Sequence, residues 1–343
     1  MIRENKDPAS ATIDQSFSYD RFGRYDTIAA WSGSTNINQF KYGYNRNSLV
    51  KRKEEYYFSG KDELYSLDRL DRLKDYKRGV VNNTTFEFEG TPVASRDWKL
   101  DLVGNWDEIV SVEDRAHNRS NEITGTGDSS EVIEHDNNGN ITRLKYLIDG
   151  QYKDRYLWYD ASNRLVKVDD DSDASADLLA KYFYDGLNRR IRDDIADRDY
   201  YYSEGWQLLS ERDGDSVSTD KTKLEYVWGI RYVDEILERD EDKNSDGDTL
   251  DTGEPGDETL YYIQDHNWNV VTLCGESGSP VERVLYDPFG EPIFFDGNYN
   301  ATSGSSFGNR VLFTGRLWSW TNKLRYNKLY LRLPQPRVQP VPG

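Results

Sequence analysis

The sequence predicts an all-β protein made of repeated antiparallel β-hairpins, and three observations predict it. The first is composition. Only 36% of the 343 residues are apolar, yet 13% are aromatic, with 25 Tyr, 12 Phe and 9 Trp. Disordered chains are poor in aromatics. Tyr, with an apolar ring and a polar tip, suits sheets packed on one face and wet on the other. The second observation is a Tyr-Asp motif that recurs along the chain. The third is two-residue alternation, partial but repeated, in the segments that flank it, as in Arg164-Leu165-Val166-Lys167-Val168-Asp169 and Arg143-Leu144-Lys145-Tyr146-Leu147-Ile148. A period of two marks a strand with one packed face.

The clearest motif copies are Tyr159-Asp160-Ala161-Ser162-Asn163-Arg164-Leu165 and Tyr184-Asp185-Gly186-Leu187-Asn188-Arg189-Arg190-Ile191. Close relatives start at Tyr19-Asp20 and Tyr286-Asp287, and weaker copies at Tyr44, Tyr65 and His135. Starts at 19, 44 and 65 are 25 and 21 residues apart, and starts at 135, 159 and 184 are 24 and 25 apart. Such spacing is that of stacked supersecondary units. Each copy reads as a hairpin. An aromatic strand enters, and an Asp follows that can accept bonds from the backbone ahead of it. Gly23, Asn163, Asn188 or Gly290 then stands four positions after the Tyr, where a turn needs positive φ. A basic and an aliphatic residue open the outgoing strand.

Helical periodicity is not sustained. The best candidate, Asp173 to Lys181, is short and reads as a strand-to-strand linker or a single helical turn. Charge-rich connections, Asp169 to Asp173, Asp213 to Asp215 and Asp240 to Asp257, punctuate the sheet. The net charge of −18 gives no basic surface for phosphates, so nucleic acid is not an expected partner. No apolar run is long enough for a membrane-spanning helix. The opening MIRENKDPASATIDQSF has no apolar signal core, which fits either an intracellular protein or the downstream part of a longer exported one. The lone Cys274, in an apolar run, reads as a buried small hydrophobe.

The Tyr-Asp-x-x-Gly/Asn-Arg-Leu copies resemble the YD repeats of bacterial RHS and wall-associated proteins, over roughly Tyr19 to Arg316. Four segments also follow the order of the RHS core region: Tyr226-Val227-Trp228-Gly229, Tyr261 to Val270, Tyr286-Asp287-Pro288-Phe289-Gly290 and Phe313-Thr314-Gly315-Arg316. The resemblance implies a spiralling or wrapped antiparallel sheet, a segment of a hollow shell. In polymorphic-toxin members such a shell encloses a toxin or effector domain, and other members contact cell-surface glycans. It further implies a structural, non-catalytic role and a secreted or cell-surface location. It divides the chain into a disordered N-terminal segment (1–14), diverged repeats (15–200), a core-like region (201–332) and a Pro-rich tail (333–343). The family's closing motif, which carries its self-cleaving aspartates, is absent after Arg316, so no catalytic residue carries over. A truncated member without independent function is a further alternative.

Candidate chemistry is sparse. Asp242-Lys243-Asn244-Ser245-Asp246-Gly247-Asp248 matches the start of a calcium loop, with Asp242, Asn244, Asp246 and Asp248 as ligands. Gly253 stands where the twelfth-position acid belongs, and the same residues make an ordinary acidic hairpin tip. Calcium is thus the one cofactor considered. His117, His135 and His266 share no metal spacing. No nucleophile elbow or phosphate loop is present, and with 62 acidic residues a close carboxylate pair is no evidence of a glycosidase. Trp158 and Trp228 lie within strand patterns and read as interior aromatics. Trp268 lies in a turn and is the candidate for stacking on a sugar.

Overall fold

The computed structural model describes residues 13–82, 84–85, 87–111, 113–148, 150–172, 178–214, 221–249, 256–318, 325–327 and 330–332. Among them the architecture is all-β. A nine-stranded sheet runs from Ile13–Tyr19 to Glu113–Asp114, and a fourteen-stranded sheet from Val132–His135 to Pro292–Asp296. In both, the order of strands in space is their order in sequence, so each hairpin follows the last without a crossover. Local pairing of this kind needs only short loops between partners.

The chain divides into two compact units: Met1–Tyr65 with Tyr76–Ser95 and Tyr201–Gly343, and Ser66–Asp75 with Arg96–Tyr200. These units cut across the division by sequence character, because the first repeats belong with the core-like region. Ile13 and Asp14 open the first strand, so the stretch 1–14 is not irregular to its end. The remainder of that stretch and the tail 333–343 lie outside the described residues, as does most of the 173–181 linker, whose end, Ala180–Tyr184, is a strand.

The first unit buries a two-sided core. Ile28, Ala30, Ile37, Phe40 and Tyr42 from the early strands meet Ile263, Val271, Cys274, Val284, Tyr286 and Phe294 from the late ones. Cys274 is fully buried, and burial pushes its thiol up to about 12. Polar ties cross this core. Asn38 donates to the Thr272 hydroxyl at 3.1 Å, Arg283 to the Ile37 carbonyl at 2.9 Å, and Lys53 Nζ to Asp265 Oδ2 at 2.9 Å.

The second unit is built on cross-strand rows. Leu157 opposes Val168, and Val168 opposes Ala180, all buried. Such rows are the unit of sheet stabilisation. The buried Arg190 lies over Tyr182 and Tyr200, 4.6 and 5.4 Å from their ring centres. Its stem and planar head fit between rings.

Candidate functional site

The repeat turn is where the chain's distinctive residues converge. At Asp160 the backbone N–H donates to the Arg164 carbonyl and Asn163 N–H returns to the Asp160 carbonyl, both at 3.0 Å. Asn163 has φ 58°. Tyr159 pairs with Leu165 across a register shift. This is a three-residue hairpin loop closed by a bulge with a left-handed residue. The Asp160 carboxylate fixes it from inside: Oδ1 accepts the N–H of Ser162 (2.9 Å) and Arg164 (3.0 Å), and Oδ2 accepts Arg164 Nε (2.7 Å). Burial would raise the Asp160 pKa, but the backbone and guanidinium of Arg164 lower it.

The same pattern recurs at Asp20 with Gly23, at Asp185 with Asn188 and at Asp287 with Gly290, all four having positive φ at the last-named residue. It also closes turns that begin at Asn45, Asp101, Asn118, Asp136, Ser203, Gly275, Asp296 and Leu312. The copy starting at Tyr65 is out of register. Its turn begins at Asp68, whose carboxylate takes Leu70 and Arg72, and the left-handed residue is Asp71. The spacing from Asn45 is therefore 23, not 21, residues.

Successive turns are tied to one another. Arg164 reaches the Asn188 side chain at 3.1 Å and lies over the Tyr184 ring, 5.0 Å from its centre. Tyr184 OH donates back to the Leu165 carbonyl at 2.6 Å. Near the start of the chain, Arg24 likewise reaches Ser48 (3.1 Å) and lies over Tyr44 (4.4 Å), and Tyr44 OH donates to the Tyr25 carbonyl (2.7 Å). Tyr286 OH makes the equivalent bond to Val270 (2.6 Å). Trp228, half-buried like Trp158, uses its indole N–H on Leu208 (2.6 Å) in that slot. Tyr44, Tyr184 and Tyr286, with Arg24 and Arg164, thus belong to the joints between hairpins, and the motif's Asp and Gly or Asn to the turn itself.

Sequence reasoning missed turns whose left-handed residue is neither Gly nor Asn. Trp206, Trp268 and Tyr299 hold that position with φ 69°, 60° and 66°. Asp265 nucleates the second of these. Its carboxylate accepts Asn267 N–H, Asn269 N–H, the Asn269 side chain and Lys53, and it is buried. Burial alone would raise its pKa, but the Lys53 charge and these bonds lower it. The same burial opposes the Lys53 charge, which Asp265 and Glu63 restore, raising its pKa. Glu63 in turn holds the buried Arg78, which also donates to the Tyr286 carbonyl. Trp268 is half-buried, and one of its faces stacks on Tyr232 (5.1 Å between centres, 12° between planes).

In the candidate calcium loop the oxygens serve the loop's own backbone. Asp242 accepts the N–H of Ser245 and Gly247, Asn244 that of Asp246, and Asp246 that of Asp248. Position twelve lies outside the described residues. His266, largely enclosed, packs on Tyr42 with 4.5 Å between ring centres, and burial lowers its pKa.

No protein-family model and no curated protein matches the sequence. Solved structures do match in fold. The Photorhabdus luminescens Tc holotoxin pore aligns over 94% of this chain and 16% of its own, with 13% identity and a TM-score of 0.61. A TcdB2–TccC3 structure aligns over 92% and 16%, with 12% identity and a TM-score of 0.55. A TcdB2–TccC3 structure without the hypervariable C-terminal region covers the same shares at 11% identity and a TM-score of 0.54. The chain therefore spans about a sixth of the length of the chains it matches. With the tied YD turns and the sheets they build, it has the fold of a YD-repeat protein of the RHS type.

Proposed function

We propose that the chain is a non-catalytic wall segment of a secreted or cell-surface protein, and that this wall encloses a toxin or effector polypeptide. The observation that carries this reading is the tied turn. The motif residues with the strongest chemistry, the aspartates, arginines and tyrosine hydroxyls, are committed to closing one hairpin and joining it to the next. Each repeat contributes little alone and is stabilised by its neighbours. The likeness to toxin-complex structures supports a partner that is itself a polypeptide.

The test is protease protection in the native assembly. The complex containing this chain is purified from its own cells and treated with proteinase K, before and after mild unfolding. A co-purifying polypeptide that resists digestion until the sheet unfolds is the expected result. A chain that carries no protected polypeptide, or that hydrolyses substrates in a broad glycosidase screen, would overturn the proposal.

A further inference from the structure

The end of strand Leu165–Asp169 carries an acidic group that no turn uses. Asp169 is 1% exposed. Its Oδ1 accepts the N–H of Asp170 at 2.7 Å, while its Oδ2 is buried and has no hydrogen-bond partner. It forms no ion pair among the described residues. The turn aspartates Asp20, Asp160 and Asp185 each have both oxygens engaged and an Arg four residues ahead, so Asp169 differs from them. Leaving a buried carboxylate oxygen unpaired carries the full desolvation penalty of that atom.

Two exposed carboxylates, Asp170 and Asp171, converge on the same place. One oxygen from each of Asp169, Asp170 and Asp171 lies within 4.8 Å of the other two. No other group of three metal-ligating side chains meets that condition among the described residues. Three carboxylates so close repel one another, and a cation between them offsets that repulsion. Calcium binds oxygens at about 2.3–2.6 Å. Oxygens on opposite sides of such an ion are about 4.8 Å apart, so three oxygens no farther apart than that can share one ion.

We propose that Asp169, Asp170 and Asp171 form a calcium site, with Asp169 as the buried anchor and the two exposed side chains closing on the ion from solvent. The site is separate from the 242–248 loop, whose oxygens bond their own backbone. Bound calcium would neutralise the buried carboxylate and pin the end of this strand, stabilising the native state by mass action.

The test uses the full chain, stripped with chelator and titrated with calcium chloride by calorimetry and by thermal unfolding. The expected result is one calcium bound and a midpoint rise of about 4 °C at millimolar calcium. Asp169→Asn should abolish both, while Asp242→Asn should retain both. Asp170→Asn and Asp171→Asn, at exposed positions, keep the test open if Asp169→Asn fails to fold. Each should weaken binding by at least about tenfold, since ligand charge sets calcium affinity. No binding at millimolar calcium would overturn the proposal, as would unchanged binding in these variants. Loss in Asp242→Asn alone, or an equal rise with magnesium, would also overturn it.

Discussion

At Asp265 and at Asp160 the chain makes the same turn in different surroundings. Both carboxylates accept the N–H groups two and four residues ahead, at 2.9 and 3.1 Å for Asp265 and 2.9 and 3.0 Å for Asp160. The side chain at Asp160 is 25% exposed and paired with its own Arg164, whereas that of Asp265 is 2% exposed and paired with Lys53, which is 212 residues away in sequence. The backbone geometry is therefore set by the local sequence and is indifferent to burial. What burial changes is the cost of removing it.

That difference predicts the largest effect. Asp265→Ala leaves Lys53 buried without its ion-pair partner, and unpairing one member of a buried ion pair costs about 4 kcal/mol. Asp160→Ala removes a turn cap and a solvent-screened ion pair, worth about 1 kcal/mol. Denaturant unfolding of the two variants measures both. Equal losses would mean that the turn, not its surroundings, dominates.

Glycine at the left-handed position offers a second contrast. Gly23 has φ 77° and open space around it, while Gly290 has φ 88° and a Cβ there would meet the Phe313 ring at 2.3 Å. Gly23→Ala should cost about 1 kcal/mol, from backbone strain alone. Gly290→Ala adds overpacking and should cost about 3 kcal/mol. Thermal unfolding of the two variants separates the terms.

Buried charge also predicts opposite pH responses within the first unit. Glu55 is buried, accepts one N–H from Tyr57, and has an unpartnered Oε2. Burial raises its pKa to about 7, against the opposing pull of the Tyr57 N–H and the Lys53 and Arg283 charges. Since the folded value lies above the unfolded one, this group's contribution is full below about pH 4.5 and is lost as pH rises through 7. Glu55→Gln should therefore be more stable than the parent at pH 8, by about 3 kcal/mol, with the gap closing towards pH 4.5. Asp265 has the reverse sign, because its folded pKa is lowered and its contribution disappears on acidification. Unfolding free energies of parent and variant across this range test the sign, and a gap that widens on acidification would refute it.

Much of this architecture is legible in the sequence because its determinants are local. Asp20, Asp160, Asp185 and Asp287 each contact groups no more than four residues ahead, and their Gly or Asn partners announce positive φ. The turns at Ser203, Asp265 and Asp296 are not legible by that rule, because Trp206, Trp268 and Tyr299, rather than Gly or Asn, hold the left-handed position. Nor does a motif disclose which aspartate is buried. The Lys53–Asp265 and Arg78–Glu63 pairs depend on strands meeting across the core, and Asp169 reads only as the first of a run of loop acids.

The smallest predicted effect concerns the joints between repeats. Tyr184 and Tyr286 donate equivalent 2.6 Å bonds to Leu165 and Val270, but Tyr184 is half-buried and Tyr286 is in the core. Removing either hydroxyl leaves a carbonyl without that donor, and water can replace it only at the more accessible site. Tyr184→Phe should therefore cost about 0.5 kcal/mol and Tyr286→Phe about 1.5 kcal/mol. Hydrogen exchange at the amides of each joint should rise in step with these losses and stay unchanged several hairpins away, because repeat stability is a sum of neighbouring interfaces. A rise spread evenly along the sheet would instead mean that the hairpins unfold as one cooperative body.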